Sequence, residues 1–319
     1  MTGGGISGLV YREVTGDAQA AGMLAAYGGT PAFFNSKAPS DSRPGWGDAR
    51  YPRADFTVDM RQDAERKTAG TLTVNIYVTA DVPQVGDLDP DRALERRLIE
   101  LLSGVFFTDE AEGTFCTEWD RSDMFSFETQ TGQTHPEVYG LSMTFDILAF
   151  PPQLTVDPDP IQGLNRWTKR IAPGAAAIGY DPLPEVFRPT DGHPAIYWRF
   201  RGAEADNRQS YAVTWYNGTF CAHVMTEGVM ERNRWIKAIV EAAQAEGEVI
   251  LPDTSPMFIQ RISIRHGADP LREGQLELTG RYGVLTQQRK ERAQMKLMHA
   301  YGSLGRKEGS PWKGKPDTA

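Results

Sequence analysis

Three aspartates, Asp87, Asp89 and Asp91, have the alternate spacing with which an EF-hand loop opens, and carboxylates so placed can hold Ca²⁺. The sixth position of such a loop requires Gly and is Arg92, and the twelfth requires Glu and is Leu98. The three acids are read instead as a loop and an acidic helix cap that complements the helix dipole. The N-terminal GGGISG suggests a phosphate loop, but Gly8 is followed by Leu9 and Val10 where Lys and Ser/Thr are needed, so a flexible terminus is expected. The five histidines, His135, His193, His223, His266 and His299, form no H-E-x-x-H or H-x-E pair. His135 and His193 precede prolines in turns, whereas His223 and His266 are placed on predicted strands. Cys116 and Cys221 fall on non-equivalent strands, where each is expected to pack as a small apolar residue without an activating His or helix N-terminus. Asn217-Gly218-Thr219 reads as a turn or bulge. One further pattern is an aromatic and basic run, Tyr197, Trp198, Arg199, Phe200 and Arg201, which on a strand could stack nucleic-acid bases. Packing in a sheet core or subunit interface is the preferred reading, because any sheet needs one apolar face. No catalytic, metal or cofactor site is expected.

The elements around these residues occur in one order twice. Ala54–Met60 and Thr71–Thr79 alternate in apolar character as strands do, on either side of a charged turn. A helix is predicted from Asp89, with Pro90 at its first position and Leu94, Leu98, Leu101, Leu102 and Val105 on one face. Strands at Thr114–Trp119 and Val138–Phe150 follow. The second half repeats the order with strands at Pro194–Arg201 and Gln209–Met225, a helix at Val229–Ala245, and strands at Met257–Arg265 and Gln275–Leu285. The offset is roughly 140 residues, too long for a solenoid repeat and suited to tandem domains. A short helix is expected before each unit, at Asp17–Tyr27 and at Ile161–Ile171. The fold class is therefore α+β, as two tandem small domains, each a mainly antiparallel sheet with an amphipathic helix on one face. The expected boundaries are 1–150, a Pro-rich linker at 151–160, 161–286, and a basic flexible arm at 287–319.

With 319 residues and a formal charge of −8, the chain has the composition of a globular protein of about two domains. No apolar run approaches the ~18–20 residues of a membrane helix, and the start lacks the pattern of a secretory signal. Two Cys cannot build a disulfide framework. The arm carries eight Lys/Arg against Glu291, Glu308 and Asp317, a net +5, which leaves −13 on residues 1–286. A body so acidic repels phosphates and argues against a DNA-binding core.

Residues Pro31–Arg61, PAFFNSKAPSDSRPGWGDARYPRADFTVDMR, carry an aromatic strand, the dipeptide Ala38-Pro39, and Tyr51-Pro52 opening the next strand. In this the chain resembles bacteriophage tail-terminator and tail-completion proteins, which follow a similar order of hairpin strand, helix and final strand pair. His193-Pro194 and Val186-Phe187-Arg188-Pro189 echo the stretch in the second half, without the Ala-Pro element. The resemblance implies a non-enzymatic virion protein of the tail or neck, assembled in the bacterial host cytoplasm, that needs no cofactor. It implies a homo-oligomeric ring, either a hexamer or a trimer with pseudo-sixfold symmetry, that caps the tail tube and meets the head-tail connector or stopper protein. Genomic DNA would pass through as cargo, and no membrane is involved. A different neck or baseplate part, or a nucleic-acid-binding module using the second domain's aromatic strands, are the alternatives. Candidate interface residues are Trp46, Tyr51 and Arg53, with Trp198 and Arg199 on the aromatic strand. The polar loops expected at Asn35–Arg50 and Asp120–Glu137 would offer contact surface.

Overall fold

The computed structural model describes residues 5–61, 68–127, 138–206 and 212–285. Two helices come first, α1 (Ile6–Gly16) and α2 (Ala18–Met23), then a small hairpin of β1 (Ala26–Tyr27) and β2 (Thr30–Pro31). The first large unit continues with β3 (Phe33–Asn35), β4 (Arg53–Met60), β5 (Thr68–Thr79), α3 (Pro90–Leu102), β6 (Val105–Asp109), β7 (Gly113–Phe127) and β8 (Val138–Ala149). The second comprises α4 (Pro160–Ile171), β9 (Ala176–Ala177), β10 (Val186–Phe187), β11 (Ala195–Ala205), β12 (Val213–Met225), α5 (Val229–Glu246), β13 (Glu248–Ile250), β14 (Pro256–Ile264) and β15 (Leu276–Leu285).

The two sheets have one topology. The first runs β10-β6-β7-β8-β5-β4-β3 and the second β13-β14-β15-β12-β11-β9. With β10 set aside, strands match one for one from edge to edge, and each sheet has one short parallel edge strand, β3 on β4 and β9 on β11. The remaining pairs are antiparallel. The connections before β4 and β11, residues 36–52 and 178–194, are equal in length, and both end in a proline. The expected α+β tandem is thus the observed fold, with two helices rather than one on each sheet. Helices α1 and α3 cover the first sheet through Leu9, Val10, Val14, Leu94 and Leu98, all buried with Phe56, Val74 and Phe145 of the strands. Helices α4 and α5 cover the second through Leu164, Trp167, Ile236 and Ile239.

Local chemistry explains where the helices start. Asp17 caps α2, its Oδ1 accepting the Ala20 N–H at 2.8 Å. Asp159 caps α4 in the same way through Gln162, 3.1 Å, with Pro160 at the first helical position. Asp89 sits at the N-cap of α3 as expected, yet its carboxylate accepts from Gln84 Nε2 rather than from the backbone. Asp91 is buried in the first turn, where an acid complements the helix dipole.

Several expectations change. The terminus expected to be flexible is helical from Ile6: Ile6, Leu9, Val10 and Val14 make a buried stripe, Gly5 caps it and Gly8 lies within it, while Gly3 and Gly4 fall outside the described residues. The helix expected at Asp17–Tyr27 ends at Met23, and Gly28 and Gly29, at φ 59° and 81°, turn the β1–β2 hairpin instead of closing a helix. Of the loop expected at Asp120–Glu137, the part to Phe127 is strand, past a bulge between Trp119 and Arg121, and residues 128–137 fall outside the described residues. The strand's alternation is lost because Met124, facing the helix side, lies beyond the cover of the helices and is exposed. Asn217 and Gly218 pair regularly within β12, the bulge lying opposite on β11 between Phe200 and Gly202. His266 lies just beyond β14 in an exposed turn. His135, His299 and the arm at 287–319 fall outside the described residues.

Candidate interaction surfaces

Three of the five candidate residues converge. Arg53 and Asp55 face away from the helices at the start of β4, while Ala54 and Phe56 enter the core. The Arg53 guanidinium donates to Asp41 Oδ1 at 2.5 Å, and the Tyr51 hydroxyl donates to Asp41 Oδ2 at 3.1 Å. Its central carbon lies 4.5 Å from the Tyr51 ring centroid, 5.3 Å from that of Trp46 and 5.8 Å from that of Tyr77, an aromatic enclosure for a cation. Trp46 donates from Nε1 to Ser40 O at 3.1 Å and meets Tyr27 edge-on, with ring centroids 4.9 Å apart. Beneath, Asp55 accepts from Asn75 Nδ2 and from the Tyr77 hydroxyl. Burial and the Asp55 charge push the Tyr77 hydroxyl up to about 12, and burial raises Tyr51 as well. Both therefore stay protonated donors at neutral pH. The arrangement latches the 36–52 connection to the sheet and leaves Lys37, Arg43 and Arg50 exposed.

Trp198 and Arg199 lie elsewhere, and Trp198 is no surface residue. Its side chain is 1% exposed, donates from Nε1 to Thr168 Oγ1 at 2.8 Å, and meets Trp167 of α4 edge-on. Tyr197, on the opposite face of β11, is equally buried and donates to Pro151 O at 2.9 Å. The preferred reading of this run, packing in a sheet core, holds for both rings, since the helices cover one face and the first unit covers the other. A base-stacking platform at Tyr197 and Trp198 is closed by this packing. Arg199 is half-buried on the same strand.

The contact between units was not legible as a site. Phe106, Cys116, Leu148 and Phe150 of the first unit pack with Phe187, Tyr197 and Met225 of the second in one apolar cluster. Strand β10, which belongs to the second unit in sequence, completes the first unit's sheet by pairing with β6, Phe187 opposite Phe106. Next to it, Arg188 donates to the carbonyls of Glu100 and Leu101 at 2.6 and 2.8 Å, satisfying the free C-terminal end of α3. Arg272, on the β14–β15 connection, bridges Glu118 and Asp146 of the first unit. Burial pushes the Glu118 carboxyl up, against the pull of Arg272. A cleft of about 290 Å³ opens at this junction between Glu118, Arg188, Glu227 and Arg232. Glu118 and Arg272 are 154 residues apart, and no local period announces their meeting.

Cys221 does have a histidine beside it. Two residues apart on β12 put His223 on the same face, with Nε2 3.9 Å from Sγ, and Nδ1 2.9 Å from Pro270 O. The thiol is buried beneath the 273–275 backbone and donates to Glu273 O at 3.0 Å. Covered in this way it packs rather than presents a nucleophile. Among the described residues, no group of three or more His, Cys, Asp or Glu is placed to hold a metal ion, so Asp87, Asp89 and Asp91 do not converge. No described helix is long and apolar enough to cross a membrane. No protein-family model matches the chain, and no curated protein matches it.

Proposed function

We propose that the chain is a structural virion protein of a bacteriophage tail or neck, acting as a tail terminator that forms a ring at the end of the tail tube. The observation that carries this reading is the junction inside the chain. Two units of one topology meet through different surfaces, the β6 edge and outer sheet face of the first against the leading strands of the second. Such a heterologous contact is the kind that, repeated around an axis, closes a ring. The resemblance of Pro31–Arg61 to tail-terminator proteins supports the same role. So does the acidic body, which keeps phosphates from adhering as DNA passes.

On this reading the role is not catalytic, and the partners are copies of this chain, the tail tube protein and the head-side connector or stopper. Six units suffice for a sixfold tube, so a trimer with pseudo-sixfold symmetry repeats the intrachain contact at every junction. A hexamer with the second unit outside the ring uses it only within chains. Mass measurement on the purified chain and on assembled particles separates the two. Deleting the gene tests the role itself: loss of a terminator gives tails of uncontrolled length. Normal tails with leaky heads assign the chain to a stopper instead.

A further inference from the structure

We infer that the outer edge of the second unit, at β13 and β14, is the docking surface for the 36–52 connection of a second copy of this chain. The inference deepens the ring reading and rests on it. It follows from laying the two units on one another. Val105 opposite Thr117 and Val249 opposite Met257 are matching buried pairs at the first turn beyond α3 and α5. The next residues match accordingly, Phe106 with Ile250 and Glu118 with Phe258. In the first unit these positions are occupied: Phe106 is fully buried under Phe150 and Phe187, and Glu118 holds Arg272. In the second, Ile250 is 54% exposed and Phe258 is 42% exposed, and β13 is the outermost strand of its sheet among the described residues. Among the described residues, one chain therefore carries the same surface twice, once covered and once exposed.

What covers the first copy of the surface indicates what fits the second. The cover is the connection 178–194 of the following unit, which supplies β10, Phe187 and Arg188. Its counterpart, equal in length and at the same place in the topology, is the connection 36–52 before β4. Within its own chain that segment packs on the β1–β2 hairpin, far in sequence from β13, and it carries half-buried Trp46 beside the exposed cations Lys37, Arg43 and Arg50. The receiving edge offers apolar Ile250 and Phe258, the exposed carboxylate of Glu248, and the carbonyl end of α5. These match as Phe187 and Arg188 match Phe106 and the end of α3.

The test uses the full chain with a photo-crosslinking phenylalanine at position 258, mixing isotope-labelled and unlabelled copies. Crosslinks between copies that map to residues 36–52 are expected. Crosslinks within one copy, including to residues 286–319, or between copies at other segments, overturn the inference. In parallel, Ile250→Glu with Phe258→Glu should weaken self-association by about 100-fold, as loss of a central apolar contact does, with unchanged circular dichroism. An oligomer indifferent to both substitutions overturns this surface and leaves the ring reading standing. A wild-type chain that stays monomeric at high concentration, alone and on tail tubes, overturns both.

Discussion

Replacing Asp17 by Asn separates two roles that one carboxylate fills. Asp17 caps α2, and it receives both Nε and a terminal nitrogen of Arg97 on α3, at 3.0 and 2.6 Å. The Arg97 hydrogen bonds hold its carboxyl at about 2 against an ordinary 3.8. By proton linkage that difference corresponds to about 2 kcal/mol at neutral pH, and partial exposure of the pair reduces it to about 1–2 kcal/mol. Asn keeps the cap, since its carbonyl oxygen accepts the Ala20 N–H, and removes only the charge. Ala removes both and should cost about 1 kcal/mol more. The sign with pH follows from a depressed carboxyl: the contribution is complete above pH 4 and is lost as pH falls through about 2. Urea denaturation at pH 7 and at a series down to pH 2, with hydrogen exchange of α1 and α2 peptides to isolate the first unit, measures it. The Asn variant should converge on wild type at the acid end. A gap that is absent at pH 7, or that persists unchanged at pH 2, refutes the assignment of stability to this ion pair.

Trp198→Ala should lower stability by about 3–5 kcal/mol as a buried-aromatic truncation, read by thermal denaturation, and leave single-stranded DNA retention at low salt unaltered. Arg272→Ala should loosen the junction, costing about 1–3 kcal/mol because Glu118 loses its partner, with faster hydrogen exchange in β10 and at residues 271–275 while α5 stays protected. Gly274→Ala should be destabilising, since φ is +78° and a Cβ would fall 2.5 Å from Cys221 Sγ; a melting temperature equal to wild type would contradict the close cover described for that thiol. Cys116 and Cys221 should react with a thiol reagent only on unfolding; prompt labelling of Cys221 in the native chain would show that the 273–275 segment opens, and of Cys116 that the junction between units does.

The repeated order of strands and helices was legible because each long element carries its own period and its own breakers. Pro90 with Leu94, Leu98 and Leu101 marks α3, and Tyr51-Pro52 and His193-Pro194 mark the starts of β4 and β11. Elements that depend on a distant partner were not legible. Strands β9 and β10 are two residues each, defined by pairing with β11 and β6. The stripe of α1 was overlooked because glycines precede it. Core packing of Tyr197 and Trp198 was legible, but the place of Trp198 among the interface candidates fails for a related reason: alternation tells which side chains share a face, not whether that face is covered. Trp46, Tyr51 and Arg53 were found as neighbours in sequence, whereas Ile250 and Phe258 gain meaning only when set against Phe106 and Glu118.

Strand β10 also bears on how the chain is synthesised. The first unit's sheet has an open β6 edge, with Phe106 bare, until residue 187 has been made. Through that interval a nascent chain carries an unpaired apolar edge, the state in which strands of neighbouring chains pair wrongly. A fragment cut at residue 150 would be held in that state permanently. The first unit thus reaches its finished form only after its successor has begun, and an expression boundary for it belongs beyond β10 rather than at the prolines.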